Sequence, residues 1–274
     1  MSVAISGDTV VVGAPGNHAA YVFVRSDLGW SQQASLIGPT DFHHDQFGIA
    51  VAISNDTIVV GASDDEEVYV YFREGSSWSQ QAILKASNTG SNRDEFGSAV
   101  AISGDTIVVG AFGEESNATS INGNQEDDSA PYAGAAYVFV RSGKNWSQQA
   151  YLKGDNAESL EYFGWSVAIS GNTIVVGAPS DGTNNPVHDP NPNNLVGGTF
   201  VFVRNGTAWS LQAYLQPSVA IRSNFGSSVA IDEDRLVVGA IFEDSGATGV
   251  DGDESDDSAP QSGAAFVFSR QDSV

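Results

Sequence analysis

The sequence predicts an all-β fold, a β-propeller built of four-stranded antiparallel blades. Three observations carry this. One string recurs five times, as SVAISGDTVVVGA at 2–14, FGIAVAISNDTIVVGA at 47–62, FGSAVAISGDTIVVGA at 96–111, FGWSVAISGNTIVVGA at 163–178 and FGSSVAIDEDRLVVGA at 225–240. Self-similarity at a period near fifty residues marks a propeller or an array. Each copy opens a unit of four short apolar segments, and the middle segments are apolar on both faces.

The third unit shows the segments in order: SAVAIS (98–103), DTIVVGA (105–111), GAAYVFVRS (134–142) and NWSQQAYL (145–152). Each has strand length, is rich in Val, Ile, Phe and Tyr, and is bounded by Gly, Ser, Asn or Asp. No stretch holds a helical period. The first two segments meet at Gly7-Asp8, Asn55-Asp56, Gly104-Asp105 and Gly171-Asn172, residue types that tolerate the positive φ of two-residue hairpins.

In the third segment Ala135, Tyr137 and Phe139 alternate with Ala136, Val138 and Val140. A sheet with one wet face would alternate apolar with polar, so both faces must be covered, as in blades stacked radially. The fourth segment suits an outer strand: strict alternation puts Trp146, Gln148, Ala150 and Leu152 on one face and Ser147, Gln149, Tyr151 and Lys153 on the other. Trp30, Trp78, Trp146 and Trp209 read as packing anchors. Arg25, Arg73, Arg141, Arg204 and Arg270, one at the end of each third strand, read as structural partners of carboxylates in adjacent turns. One blade cannot bury its own two faces, so the copies bury each other.

The units run 2–48, 49–97, 98–164, 165–226 and 227–274 in a single domain, 1–274. The first begins without Phe-Gly and the fifth stops before its Trp-Ser-Gln-Gln strand. A closed five-bladed ring with a three-stranded last blade is the first reading. Five blades of a larger propeller is the second. Repeat sequence follows Met1 at once with no signal peptide in view, which leaves a cytosolic protein or a mature or excised segment; because the sequence starts and stops partway through a repeat, a segment of a longer chain is expected.

Phe-Gly before the first strand and Gly-Ala-Pro after the second (Gly13-Ala14-Pro15, Gly177-Ala178-Pro179) resemble the FG-GAP repeat. The resemblance implies the β-propeller of integrin α-chains and of bacterial and algal surface proteins. Integrin-type repeats often carry a Ca2+ loop between the first two strands. Here that connection is a two-residue turn, too short to wrap a cation, so those metal sites do not carry over.

Antiparallel order puts the strand 1–2 and 3–4 turns on one rim. The strand 2–3 and blade-to-blade connections lie on the other, which holds the long loops 112–133, 179–198 and 241–263. The chain has 34 Asp and Glu against 11 Lys and Arg, a formal charge of −23. That balance argues against nucleic acid as partner. More than half of the carboxylates fall in strand 2–3 loops, Glu114 and Glu243 among them, and no Lys or Arg does.

Two loops resemble each other, EESNATSINGNQEDDSAP (114–131) and EDSGATGVDGDESDDSAP (243–260). Spaced oxygen donors with a glycine suit Ca2+. Asp251, Asp253, Asp256 and Asp257 are the candidate cation ligands, and Asn122, Asn124, Asp127 and Asp128 the weaker counterpart. The competing reading is a solvated loop whose side chains cap their own turns.

No catalytic set is legible: no nucleophile elbow, no phosphate loop, and no Cys at all. His43-His44-Asp45 is the nearest thing to a transition-metal pair, and adjacent side chains seldom converge. Sequons stand at Asn55, Asn117, Asn145 and Asn205 and matter on a eukaryotic secretory route. No apolar run is long enough to span a membrane. The expected function is therefore a non-enzymatic extracellular or cell-surface module. It would bind a protein or glycan on the acidic loop face, with Ca2+ as the cofactor in prospect. The alternative is a self-assembling block of a surface layer, stalk or filament. A glycan-active hydrolase stands last.

Overall fold

The computed structural model describes residues 2–39, 46–88, 94–155, 158–180, 196–218 and 223–271. Blade 1 comprises β1 (Ser2–Ser6), β2 (Thr9–Ala14), β3 (Ala19–Ser26) and β4 (Gly29–Ile37). Blade 2 comprises β5 (Val51–Ser54), β6 (Thr57–Ala62), β7 (Glu67–Glu74) and β8 (Ser77–Leu84). Blade 3 comprises β9 (Ala99–Ser103), β10 (Thr106–Ala111), β11 (Ala135–Ser142) and β12 (Asn145–Leu152). Blade 4 comprises β13 (Ser166–Ser170), β14 (Thr173–Ala178), β15 (Gly198–Asn205) and β16 (Ala208–Leu215). Blade 5 has three strands, β17 (Phe225–Asp232), β18 (Arg235–Ala240) and β19 (Ala264–Ser269). Every blade is an antiparallel meander in chain order.

The two apolar faces of a blade are different. Tyr137 and Phe139 of β11, with Ile107 and Val109, face blade 2 and pack on its Val59, Val68 and Val70. Val108, Ala136 and Val138 face blade 4 and meet Ile174, Phe200 and Phe202. So an aromatic face packs on the small aliphatic face of the blade before it. The motif phenylalanines complete the aromatic side, with Phe96 edge-on to Tyr137 and Phe139 at 5.4 and 6.1 Å.

The motif glycines serve a close backbone approach. Gly97 N–H donates to Gly110 O at 3.0 Å, and Gly164 N–H to Gly177 O at 3.1 Å. The Phe-Gly glycines hold φ between 90° and 96° (Gly48, Gly97, Gly164 and Gly226), where only glycine rests without strain.

Strict alternation fails in the fourth strand. Register shifts at the same place in all four complete blades, between Val22/Phe23, Val70/Tyr71, Val138/Phe139 and Val201/Phe202. The extra residue is Gln33, Gln81, Gln149 or Gln212. This bulge turns Tyr151 onto the face of Trp146 and Gln148, contrary to the expected alternation. It also re-aims the bulged side chain. Trp78 Nε1 donates to Gln33 Oε1 at 2.8 Å, Trp146 to Gln81 at 2.8 Å and Trp209 to Gln149 at 2.9 Å. Each of these three tryptophans thus clips its blade to the preceding one, whereas Trp30 of blade 1, expected as a packing anchor, is 49% exposed.

The closed five-bladed ring is not what forms. Successive blades pack along their first strands, and β1 and β17 make no comparable contact. The aromatic face of blade 1 is open, with Val3 70% and Ile5 65% exposed, and so is the aliphatic face of blade 5, where Val267 is 69% exposed. The five blades make an arc whose end faces are the two halves of a blade interface.

Candidate functional site

The turn rim is a repeated latch. Arg73 Nε donates to Asp56 Oδ1 at 2.7 Å, and its Nη1 reaches Thr9 Oγ1 of the preceding blade at 3.1 Å. The guanidinium also lies 5.2 Å from the Trp78 ring centre, a cation–π contact. Arg141 repeats this with Asp105, Thr57 and Trp146, and Arg204 with Asn172, Thr106 and Trp209. The arginines are structural, as the sequence predicts. A groove of about 700 Å3 between blades 2 and 3 opens beside Arg141, Lys144, Glu74 and Asp105, and its Asp105 is already held by Arg141.

The opposite rim carries the acidic loops. Those of blades 3 and 5 share one bonding plan. Gly134 N–H donates to Glu114 O and Ala130 N–H to Glu115 O, as Gly263 does to Glu243 O and Ala259 to Asp244 O. Ser116 Oγ donates to Asn124 O and Ser245 Oγ to Asp253 O. Asn124 Oδ1 accepts from Glu126 N–H where Asp253 Oδ1 accepts from Ser255 N–H. Asp127 accepts from Ser129 N–H where Asp256 accepts from Ser258 N–H. Asn122 and Asp251 both adopt left-handed backbone, φ 57° and 56°. The two sets of four are thus structural counterparts.

As placed, these side chains cap turns. Hydrogen bonds from Ser129 hold the Asp127 carboxyl below the usual carboxylate range, and those from Ser255 do the same for Asp253. Asp128 and Asp257 are exposed beside them. Among the described residues no three His, Asp or Glu side chains gather where one ion could be shared. Oδ1 of Asn124, Asp127, Asp253 and Asp256 each accepts from the loop's own backbone.

Glu114 departs from the solvated rim that sequence suggests. It is 1% exposed and ion-paired to Lys153, also 1% exposed, at 3.1 Å. Lys153 Nζ further donates to Ser116 O at 2.6 Å and Gly134 O at 2.8 Å, so all three donors are used. Tyr151 Oη donates to Glu114 Oε1 at 2.8 Å. Burial pulls the Lys153 ammonium below its ordinary range, and Glu114 opposes that pull. Lys85, at the same place in blade 2, pairs with Glu67 at 2.6 Å. Lysines at the ends of fourth strands therefore reach into a rim whose loops contain none. The signal was a Lys seven residues after the Trp in two units.

Asp94, leading into blade 3, is 6% exposed. Burial, then the neighbouring charges of Glu66 and Glu114, pushes its carboxyl up to about 7. The folded state thus keeps a proton that the unfolded chain releases near pH 4. Its contribution is full below that pH and is lost as pH rises through about 7. Asp94→Asn is expected to gain thermal midpoint relative to wild type as pH goes from 5 to 8. A difference that stays constant with pH would remove Asp94 as the cause.

His43, His44 and Asp45 lie outside the described residues, as do His188 and most of loop 179–198. The four sequon asparagines are exposed. Among the described residues no helix is long and apolar enough to cross a membrane.

A search of curated proteins finds no match. The FG-GAP repeat matches residues 30–75, 78–139, 146–189 and 209–268. These spans cover most of the chain, and each starts at the Trp of one blade's fourth strand (Trp30, Trp78, Trp146 or Trp209) and runs through the conserved string of the next blade. With the Phe-Gly and Gly-Ala glycines holding successive blades together, the chain belongs to the FG-GAP repeat family of β-propellers.

Proposed function

We propose that this protein is a non-enzymatic extracellular or cell-surface binding module that engages a protein or glycan through its acidic loop rim, with Ca2+ as the ion that rim gathers. The observation that carries the reading is charge segregation. The five latch arginines sit on the turn rim, while Asp251, Asp253, Asp256 and Asp257 crowd a long loop on the other. Long loops on a rigid scaffold are where binding usually sits, and one-signed surfaces draw counter-ions and cationic partners.

A thermal melt with Ca2+ and with chelator tests the ion. Ca2+ at ten times its dissociation constant is expected to raise the midpoint by about 3–6 °C. The rise should vanish in Asp251→Asn/Asp253→Asn. No rise would leave the carboxylates as a solvated surface. The open end faces favour one second reading, a block that assembles with its own kind. Sedimentation across a concentration series separates the two.

A further inference from the structure

The loop rim carries an aromatic patch that the blade architecture does not call for. Phe112, Tyr132, Tyr162 and Trp165 lie together where blade 3 meets blade 4. The Phe112 and Trp165 ring centres are 4.9 Å apart, Tyr162 stands 6.0 Å from Phe112 and 6.1 Å from Trp165, and Tyr132 is 5.7 Å from Tyr162. Trp165 is nevertheless 46% exposed and Tyr132 43%. The packing phenylalanines Phe47, Phe96, Phe163 and Phe225 recur from blade to blade, whereas these rings do not. After Phe-Gly the other units have Ile49, Ser98 and Ser227 where Trp165 stands. Before it they have Gln46, Glu95 and Asn224 in place of Tyr162. Blade 5 reads Ser-Ala-Pro-Gln261 where blade 3 reads Ser-Ala-Pro-Tyr132. A blade therefore forms without a ring at any of these three positions, and exposed aromatic surface beyond what packing needs marks a binding site.

The patch is held still by backbone. Leu160 N–H donates to Pro131 O at 2.9 Å, Tyr162 N–H to Tyr132 O at 3.0 Å and Phe163 N–H to Ala133 O at 3.0 Å. Trp165 N–H donates to Tyr162 O at 3.1 Å. The end of the blade 3 loop and the lead into blade 4 are thus zipped together, and a ligand would meet rings whose ordering cost is already met by the fold. Among the described residues no hydrogen bond engages the Tyr132 or Tyr162 hydroxyl or the Trp165 indole N–H. Each ring then offers an apolar face and a polar edge. Charge narrows the ligand further. Phe112 and Tyr132 bracket a loop that holds Glu115, Glu126, Asp127 and Asp128 and no Lys or Arg, so an anionic chain is repelled.

We infer that this patch binds a neutral oligosaccharide, whose sugar rings lie with their C–H faces on Trp165 and Tyr132. A sugar alternates C–H faces with hydroxyls along its length, which matches ring faces interleaved with free polar edges. Its hydroxyls bond the tyrosine hydroxyls and the indole N–H. The inference rests on the loop rim being the binding surface, and it names the ligand class and places it at the junction of blades 3 and 4.

The probes are cellotetraose, chitotetraose and mannotetraose, each titrated into the full chain by calorimetry in the presence of chelator. At least one is expected to saturate, with a dissociation constant of about 1 mM or tighter. Trp165→Ser and Tyr132→Gln install residues that the repeat itself uses at these places, so both should melt within about 3 °C of wild type. Trp165→Ser should weaken binding by about tenfold or more, and Tyr132→Gln should weaken it too. Tetragalacturonate, which carries a carboxylate on each sugar, should bind more weakly than the neutral probes. No saturation by any neutral probe to about 10 mM, or equal binding by Trp165→Ser, would overturn the proposal. So would Trp165-dependent binding of a hexa-arginine peptide with no sugar bound, which would make the patch a site for basic protein segments. Asp251→Asn/Asp253→Asn should bind sugar as wild type does. Sugar binding without a Ca2+ response therefore removes the ion and keeps this site, and a Ca2+ response without sugar binding removes this site alone.

Discussion

Lys153→Met is expected to destabilise the protein by about 3–5 kcal/mol, the range for removing one partner of a buried ion pair. The variant leaves Glu114 in the interior with no cation, and frees the carbonyls of Ser116 and Gly134 from their donor. Urea unfolding measures the loss. Adding Glu114→Gln should return part of it, because the unpaired charge goes with it. If the double variant is worse than Lys153→Met by the full cost of a second lesion, the pair is not coupled. The loss should be felt at loop 112–133, whose ends this network pins. Limited proteolysis there should speed up before the other blades open, as expected of a stack of units with nearest-neighbour contacts.

The second large effect sets two copies of one motif position against each other. An alanine Cβ at Gly110 would lie 2.0 Å from Gly164 O, a backbone atom fixed by the next blade. At Gly239, in the last blade, the nearest atom would be Ser228 Oγ at 2.3 Å, the tip of a side chain that can rotate away. Gly110→Ala is therefore expected to cost about 3 kcal/mol or more, at or beyond the top of the overpacking range. Gly239→Ala should cost under about 1 kcal/mol. Equal costs would mean that the glycine answers to its own strand and not to the following blade.

Much of this molecule was legible in its sequence because repetition multiplies the signal. Five copies of one string, with two-residue turns and strands apolar on both faces, leave few architectures besides stacked blades. The Phe-Gly and Gly-Ala pairs named the family. The recurring arginines were readable as structural for the same reason. The likeness of loops 114–131 and 243–260 was readable too, and their side chains do occupy matching places.

Other features were hidden by the way strands meet. Alternation in the fourth strand could not reveal the bulge at Gln149, since a bulge is defined by the partner strand it departs from. Glu114 looked like one more surface carboxylate because its partner, Lys153, lies 39 residues away and meets it only when strand and loop fold together. The raised Asp94 has the same origin, in burial that places Glu66 and Glu114 around it.

The sequence by itself determined the blade, its strand order, the two rims and the side on which the acidic loops fall. These are local or repeated properties, set by hydrophobic period and turn chemistry. Only the tertiary structure decided that the five blades form an open arc and which carboxylates are buried. Those depend on which surface meets which, and packing between distant segments settles that.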